Sequence, residues 1–482
     1  MIASVECLDR WRFHVCRAFA FVVVISAALF TSARVASADS AALWELDPYR
    51  VRILLAIEGP PAVQHSLTES IVPYVESMAA REMGAAWQLT VESADKPLRE
   101  SLLRERFPAV DVLAETWREL ADKVLLVAVA KDRWSWRVVA RELDTSLKHY
   151  GRATTLHIEQ PELMPPRVWH AVLDSFRPLA IVADVKGQKV QLRRRAADLV
   201  EETAYRALSQ VGDVLQPVVQ SFSRDGKSRN SPLEWTLLKV QQSEGGKAQA
   251  NMFSGYRSPI GGRSGLSQTL AIVSRPSHAK TKLTIVATGG SEPLPGYELH
   301  LQHPPQSTTE TVGQTNYRGQ VDIPPVDGGF CLLIVKNGSE VLCRVPIQPG
   351  VEPAAKLTLP DDRKRLEAEG LTIALQERVV DLVAQRQILL VDARAKIEAG
   401  QLADAAQLLK KVRQLSVVEP LLAEIRSQRQ RLQTSDPYVK GKITRLFDDT
   451  EKVLTTYFDL REIVEVETTL DRKKKEAEPA KT

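Results

Sequence analysis

The amino-terminal 38 residues constrain the rest of this chain most, because they decide the compartment in which it must fold. Their basic start contains three arginines, at Arg10, Arg12 and Arg17. Residues 18–30 are apolar without a charge, and Ala38 ends an A-x-A sequence before Asp39. A basic start, a short apolar run and small residues before the cleaved bond are typical of a secretory signal peptide. We therefore predict cleavage between Ala38 and Asp39.

An uncleaved membrane anchor is the alternative to a signal peptide. The apolar run has about 13 residues, whereas a helix needs about 20 to cross the hydrocarbon core. The sequence thus predicts export to the periplasm, the cell envelope or the extracellular space, with no membrane span after cleavage.

Charge argues against a nucleic-acid partner. The formal net charge is only +4 for 482 residues, whereas nucleic-acid binders concentrate a large basic surplus on one face. The two longest basic runs are Arg193–Arg195 and Lys473–Lys475, and both are interpreted as solvated faces or helix ends.

Two of the four cysteines lie within residues 1–38, which leaves Cys331 and Cys343. If Asn337 and Gly338 form a two-residue hairpin loop, Cys331 lies opposite Arg344. A three-residue loop, 336–338, instead places Cys331 opposite Cys343 and gathers the apolar residues on one face. The second register predicts a possible disulfide, which an oxidising compartment permits. Two free, buried thiols are the alternative.

The pattern of apolar and polar residues changes twice along the chain, which indicates a multidomain α+β protein. Strand-like runs alternate with helical periodicity up to about residue 208, short alternating segments follow, and a 3.6-residue period begins after Pro360. The helical pattern starts with a face traced by Leu366, Leu371, Leu375, Val379, Leu382, Arg386 and Leu389. The predicted organisation is a signal peptide at 1–38, an α/β domain at 43–208, a small β domain at 212–280, a β-sandwich at 281–360, a helical bundle or coiled coil at 361–472 and a disordered tail at 473–482.

Two segments resemble known families. The hairpin formed by residues 124–129 and 136–139, with its Asp-containing turn at 141–144, resembles the amino-terminal α/β domain of TolB and its relatives. Residues 293–299 and 315–323 resemble the strand entry and turn of the carboxypeptidase regulatory-like, or transthyretin-like, β-sandwich module. Taken whole, the chain resembles large secreted proteins of planctomycete-type bacteria, which implies no particular activity.

Four groups of residues invite a chemical interpretation. An anion-binding loop is possible at 254–258 and 261–265, but a plain connection is favoured. His300 and His303 are too few for a metal site. Trp134 and Trp136 are interpreted as sheet core rather than a stacking platform. The acidic side chains Asp111, Glu115 and Glu119 are interpreted as a solvated helix face.

No catalytic, cofactor-binding or metal-binding residue is therefore predicted, and the usual nucleophile and phosphate motifs are missing from the sequence. We expect a non-catalytic interaction or scaffold protein of the cell envelope with a protein partner. The alternative is an exported hydrolase or ligand-binding accessory subunit with its site in the amino-terminal α/β domain. An exposed apolar stripe on the final helices would favour the first, and a cleft with convergent carboxylates in the first domain would favour the second.

Overall fold

The computed structural model describes seven stretches of the chain: residues 44–200, 208–223, 228–257, 259–260, 267–415, 418–458 and 460–477. The predicted signal peptide and its predicted cleavage between Ala38 and Asp39 lie outside these stretches, as do residues 258 and 261–265 of the glycine- and arginine-rich loop. Within them the protein is a multidomain α+β chain with a helical carboxyl-terminal region.

The first layer is a mixed five-stranded sheet with the order β2-β1-β3-β4-β5, in which β1 runs parallel to both β2 and β3. The strands are β1 Tyr49–Ile57, β2 Trp87–Ser93, β3 Lys123–Lys131, β4 Trp136–Asp144 and β5 His149–Ile158. Both faces of β1 and β3 are apolar, so helices cover the sheet on both sides. These helices are α1 Pro61–Glu82, α2 Lys96–Leu103, α3 Val110–Trp117 and α4 Met164–Ser175. Strand β5, with mostly polar side chains, was not predicted.

The second sheet closes into a barrel. Its order is β10-β11-β7-β6-β12-β8-β9, and β10 also pairs with β8, where Leu238 lies opposite Leu215. Alanine and branched side chains fill the interior. The strands are β6 Leu179–Lys186, β7 Lys189–Arg194, β8 Val214–Phe222, β9 Ser228–Pro232, β10 Thr236–Glu244, β11 Lys247–Ser254 and β12 Ser267–Ser274.

This barrel corrects the predicted boundary between 208 and 212. The hairpin of β6 and β7 was placed in the α/β domain, but β6 pairs with β12 and β7 pairs with β11. Alternation predicts that a segment is a strand, yet it carries no information on a partner far along the chain.

The third unit is a sandwich of two sheets, β16-β13-β19 and β15-β14-β17-β18, that share one apolar core. Its strands are β13 Thr281–Ala287, β14 Glu298–Gln302, β15 Thr309–Gln314, β16 Gln320–Ile323, β17 Cys331–Asn337, β18 Glu340–Ile347 and β19 Ala354–Leu359.

Helices form the rest: α5 Arg363–Glu398, α6 Leu402–Leu415, α7 Glu419–Arg431, α8 Pro437–Tyr457 and α9 Arg461–Ala477. Helix α5 is central to the helical region, because it packs in one core with α7 and α8 and in a second core with α6 and α9. It ends at Gly400, whose φ of 75° suits glycine after a helix. The predicted disordered tail is wrong for residues 473–477, which continue α9.

Candidate docking surface

The most concentrated set of buried charges is an ion cluster of Lys123, Glu142 and Asp144, whose side chains are all 0% exposed. The Lys123 Nζ lies 2.9 Å from Glu142 Oε1 and 2.8 Å from Asp144 Oδ2, and it donates to the Arg177 carbonyl at 2.8 Å. Burial acts to raise the pKa of Asp144, but the Lys123 ammonium and hydrogen bonds from Ser146 and the Leu147 N–H hold it below its usual value.

Strand register brings this cluster together. Lys123 lies opposite Asp144 in the β3–β4 pair, and Glu142 lies opposite Leu125 two positions along. Arg177, from the connection between α4 and β6, donates its backbone N–H to Glu142. The cluster therefore joins the first sheet to the chain that enters the barrel. Because its side chains are fully enclosed, it is suited to holding these layers together rather than to contacting a substrate.

The run Arg193–Arg195 also differs from its prediction as a solvated face. Arg194 and Arg195 are buried, Arg193 Nε pairs with Glu45 at 2.8 Å, and Arg195 Nη2 pairs with Asp122 at 2.8 Å. The run lies at the end of β7, where the barrel meets the first sheet: Arg193 and Arg195 form internal ion pairs, and Arg194 donates to the Ser209 carbonyl at 3.0 Å. Lys473–Lys475 lie on an exposed helix end, as predicted.

The two tryptophans have different environments. Trp134 is 94% exposed in the turn between β3 and β4, whereas Trp136 begins β4 and packs against the core. The interpretation of both as sheet core is wrong for Trp134, because the strand starts only after it.

The acidic side chains Asp111, Glu115 and Glu119 are exposed, which agrees with their interpretation as a solvated helix face.

The histidines hold separate local partners. His300 Nδ1 lies 3.1 Å from the Thr311 hydroxyl, and His303 Nε2 lies 3.7 Å from Glu310. Among the residues that the structure describes, no three metal-ligating side chains come together.

The predicted disulfide between Cys331 and Cys343 is wrong. Cys331 lies opposite Ile347, Cys343 lies opposite Val335, and both thiols are free. The turn is Gly338 and Ser339, and a β-bulge follows it. The observed register differs from the predicted one by an even number of residues. Such a slip keeps every side chain on its own face, so the apolar pattern could not distinguish the two.

Two open clefts lie in the β regions. One, of about 780 Å³, opens at an end of the barrel between Asp184, Met252 and Arg257. The other, of about 790 Å³, lies in the sandwich beside His303 and Asp327. Arg257 belongs to the glycine- and arginine-rich loop for which a plain connection was favoured over anion binding, and only part of that loop is described.

Helix α5 carries a second, largely apolar face that lies outside both helical cores, and only its first residue, Leu366, approaches another described element, the turn at Gly338. The large side chains of this stripe, with their exposed fractions, are Leu366 (39%), Ile373 (50%), Val380 (66%), Ile388 (62%) and Val391 (59%). Gly370, Ala384 and Ala395 lie between them on the same face. Steps of three and four residues place all these positions in one line along a helix, and Glu377 occupies the remaining position between Ile373 and Val380.

The opposite face of α5 is buried in the two helical cores, through residues that include Leu375, Val379, Leu390, Ala393 and Ile397. A helix at the edge of a globular unit normally has a single apolar face. The large side chains of the stripe lie outside both helical cores. We call the stripe from Leu366 to Ala395 the α5 docking face.

A polar junction fixes α5 to the sandwich. Arg365 Nε donates to Asp362 at 2.8 Å and its Nη2 donates to the Asn337 carbonyl, while the Tyr297 hydroxyl accepts from the Asp362 N–H at 3.0 Å. Burial raises the pKa of Asp362, an effect that its bonds with Arg365 offset only in part. Asp362 stands at the N-cap position of α5, but its carboxylate binds Arg365 and makes no capping hydrogen bond to the first turn. The junction therefore connects the start of the docking face to the sandwich.

Comparison with known proteins gives no family for this chain: no family model and no curated protein matches it. Among solved structures it is similar to TolB from Acinetobacter baumannii, with 11% identity over 64% of this chain and 98% of that chain. The TM-score of 0.18 is too low for this likeness to carry an argument about fold or function.

Proposed function

We propose that this chain is an exported, non-catalytic interaction or scaffold protein of the cell envelope, and that it engages its partner through the α5 docking face. The observation that carries the proposal is the line of five large, exposed apolar side chains along one helix. Contiguous exposed apolar patches on soluble proteins mark interaction sites, whereas single exposed apolar residues need no explanation.

Three further features support the proposal. The amino-terminal sequence pattern supports export, and no helix of the described stretches is long and apolar enough to cross a membrane. The most concentrated buried charges, around Lys123, are sealed from solvent. The hydrogen bonds at Asp362 and Arg365 connect the start of the docking face to the sandwich.

Site-specific photocrosslinking in the native envelope tests this function. A photoreactive amino acid at Val380 or Ile388 should give a discrete adduct, because both side chains point away from the bundle core. The matched control is Val464, which is 52% exposed on α9, and it should not give this adduct. The mature protein should begin at Asp39 by mass spectrometry. Adducts equal at all three positions, or at none, would refute the proposed function.

A further inference from the structure

We infer that the occupant of the α5 docking face is a basic amphipathic helix of another protein, paired along the stripe like a coiled-coil strand. This inference rests on the proposed function and names the chemistry of the partner. It is drawn from three properties of the face: its spacing, its small residues and the charges within it and along its edges.

Spacing and residue size favour a helix as the occupant. Apolar positions in alternating steps of three and four residues form the seam of a coiled coil, in which each large side chain enters a gap on the facing helix. Gly370, Ala384 and Ala395 leave such gaps beside Ile373, Ile388 and the other large residues. From Leu366 to Ala395 the seam is about 44 Å long at 1.5 Å per residue, long enough for several turns of a partner helix.

Carboxylates lie within the seam and along one of its edges. Glu377 occupies the position of the line between Ile373 and Val380, and Glu398 follows Ala395 in the same line. Asp381 and Asp392 lie on one edge, and Arg394 lies on the other. All four carboxylates are exposed, and none of them forms an ion pair with another described residue.

These unpaired charges select among occupants. Charges that flank a coiled-coil seam set the choice of partner, and like charges across it repel. A second copy of this chain would bring a second acidic edge, with Asp381 facing its own copy near the centre of an antiparallel pair. An anionic lipid surface would be repelled in the same way. Lysine or arginine beside the partner's apolar seam would instead pair with the four carboxylates.

The test uses the mature full-length chain and two synthetic helical peptides with the same leucine seam, one flanked by lysines and one by glutamates. Fluorescence anisotropy should show at least tenfold tighter binding of the lysine peptide at low salt, and this preference should shrink as salt rises. Replacing Val380 and Ile388 by serine should abolish binding of both peptides.

Charge-reversal variants test whether these four carboxylates cause the preference for the lysine peptide. Glu377→Lys, Asp381→Lys, Asp392→Lys and Glu398→Lys together should reverse the preference toward the glutamate peptide. The matched control makes the same net charge change at exposed acidic residues away from the face, with Asp404→Lys, Asp449→Lys, Glu465→Lys and Asp471→Lys, and it should keep the preference for lysine. Equal binding of both peptides, or an equal loss in the control, would overturn the inference.

Light scattering of the wild-type chain tests whether a second copy of the chain occupies the docking face. A dimer that the serine substitutions dissociate would show that this chain occupies its own docking face, and the inference would fail. If crosslinks form at Val380 but the lysine peptide is not preferred, the proposed function stands and only the basic helix is rejected. If neither is seen, both fail.

Discussion

The environment of Lys123 makes its substitution costly. It is fully buried with two carboxylates, and removal of one partner from a buried ion pair leaves an uncompensated charge. We predict that Lys123→Met lowers the free energy of opening of strands β3 and β4 by about 3–5 kcal/mol. Hydrogen exchange of their backbone amides measures this. Adding Glu142→Gln and Asp144→Asn to Lys123→Met should restore much of the loss, whereas no recovery would assign the effect to packing alone.

The same cluster predicts sensitivity to acid. Because the folded pKa of Asp144 lies below its usual value, the stability from this carboxylate is present above about pH 4, the unfolded value. It is lost as pH falls through the lower, folded pKa. Urea unfolding between pH 2 and pH 7 should show a smaller loss at acid pH for Asp144→Asn than for the wild type. An identical pH dependence in both would contradict this assignment.

The two thiols give a prediction of chemical reactivity. Burial raises the pKa of Cys331 to about 12, and burial also raises that of Cys343 to about 11, despite a backbone hydrogen bond with Val335 that lowers it. Since the thiolate is the reactive form, both should resist alkylation in folded protein at pH 8. Unfolding without a reductant should expose two alkylatable thiols by mass spectrometry. Two blocked thiols would support the disulfide and its register instead.

At the scale of the element, the two faces of α5 should respond differently to substitution. Leu390→Ala, on the buried face, should destabilise the helical unit by about 2–5 kcal/mol. Val380→Ser, on the docking face, should change stability by no more than about 0.5 kcal/mol, because that side chain is already in water. Thermal unfolding of the two variants checks this. A large loss for Val380→Ser would mean that the stripe packs inside this chain.

Sequence periodicity located α5 and most of its buried face. The predicted positions from Leu371 to Leu389 are buried or half-buried in the structure, and only Leu366 lies on the exposed stripe. The second apolar series, at steps of three and four on the opposite side, was not predicted. For Cys331, likewise, the face was predicted and the partner was not.

At the scale of the whole molecule, the first sheet and the barrel should fold together. Their cores are continuous, since the cluster beside α1 and α4 includes Val218 from β8 and Ile272 from β12. We predict that a fragment of residues 39–208 is insoluble or lacks dispersed amide resonances, because β6 and β7 lose their partner strands. A fragment of residues 39–278 should fold. Equal folding of both would contradict the continuity of this core.

Local patterns predicted most strands and the long helices, because strand and helix periods are properties of neighbouring residues. They did not predict the closure of the barrel, in which Leu215 meets Leu238, or the ion pair between Arg195 and Asp122. Both depend on contacts between segments that are distant in sequence. The docking face became visible only when burial on the other side of α5 was known.

Helix α5 is 36 residues long, so a small change of angle at its first turn displaces its far end by a larger distance. At 1.5 Å per residue the helix extends about 54 Å from the sandwich, so a tilt of about 5° at its origin displaces the far end by about 5 Å. A shift of that size equals about one helical turn of a partner. Small rearrangements of the hydrogen bonds around Asp362 and Arg365 would therefore produce larger displacements at Val391.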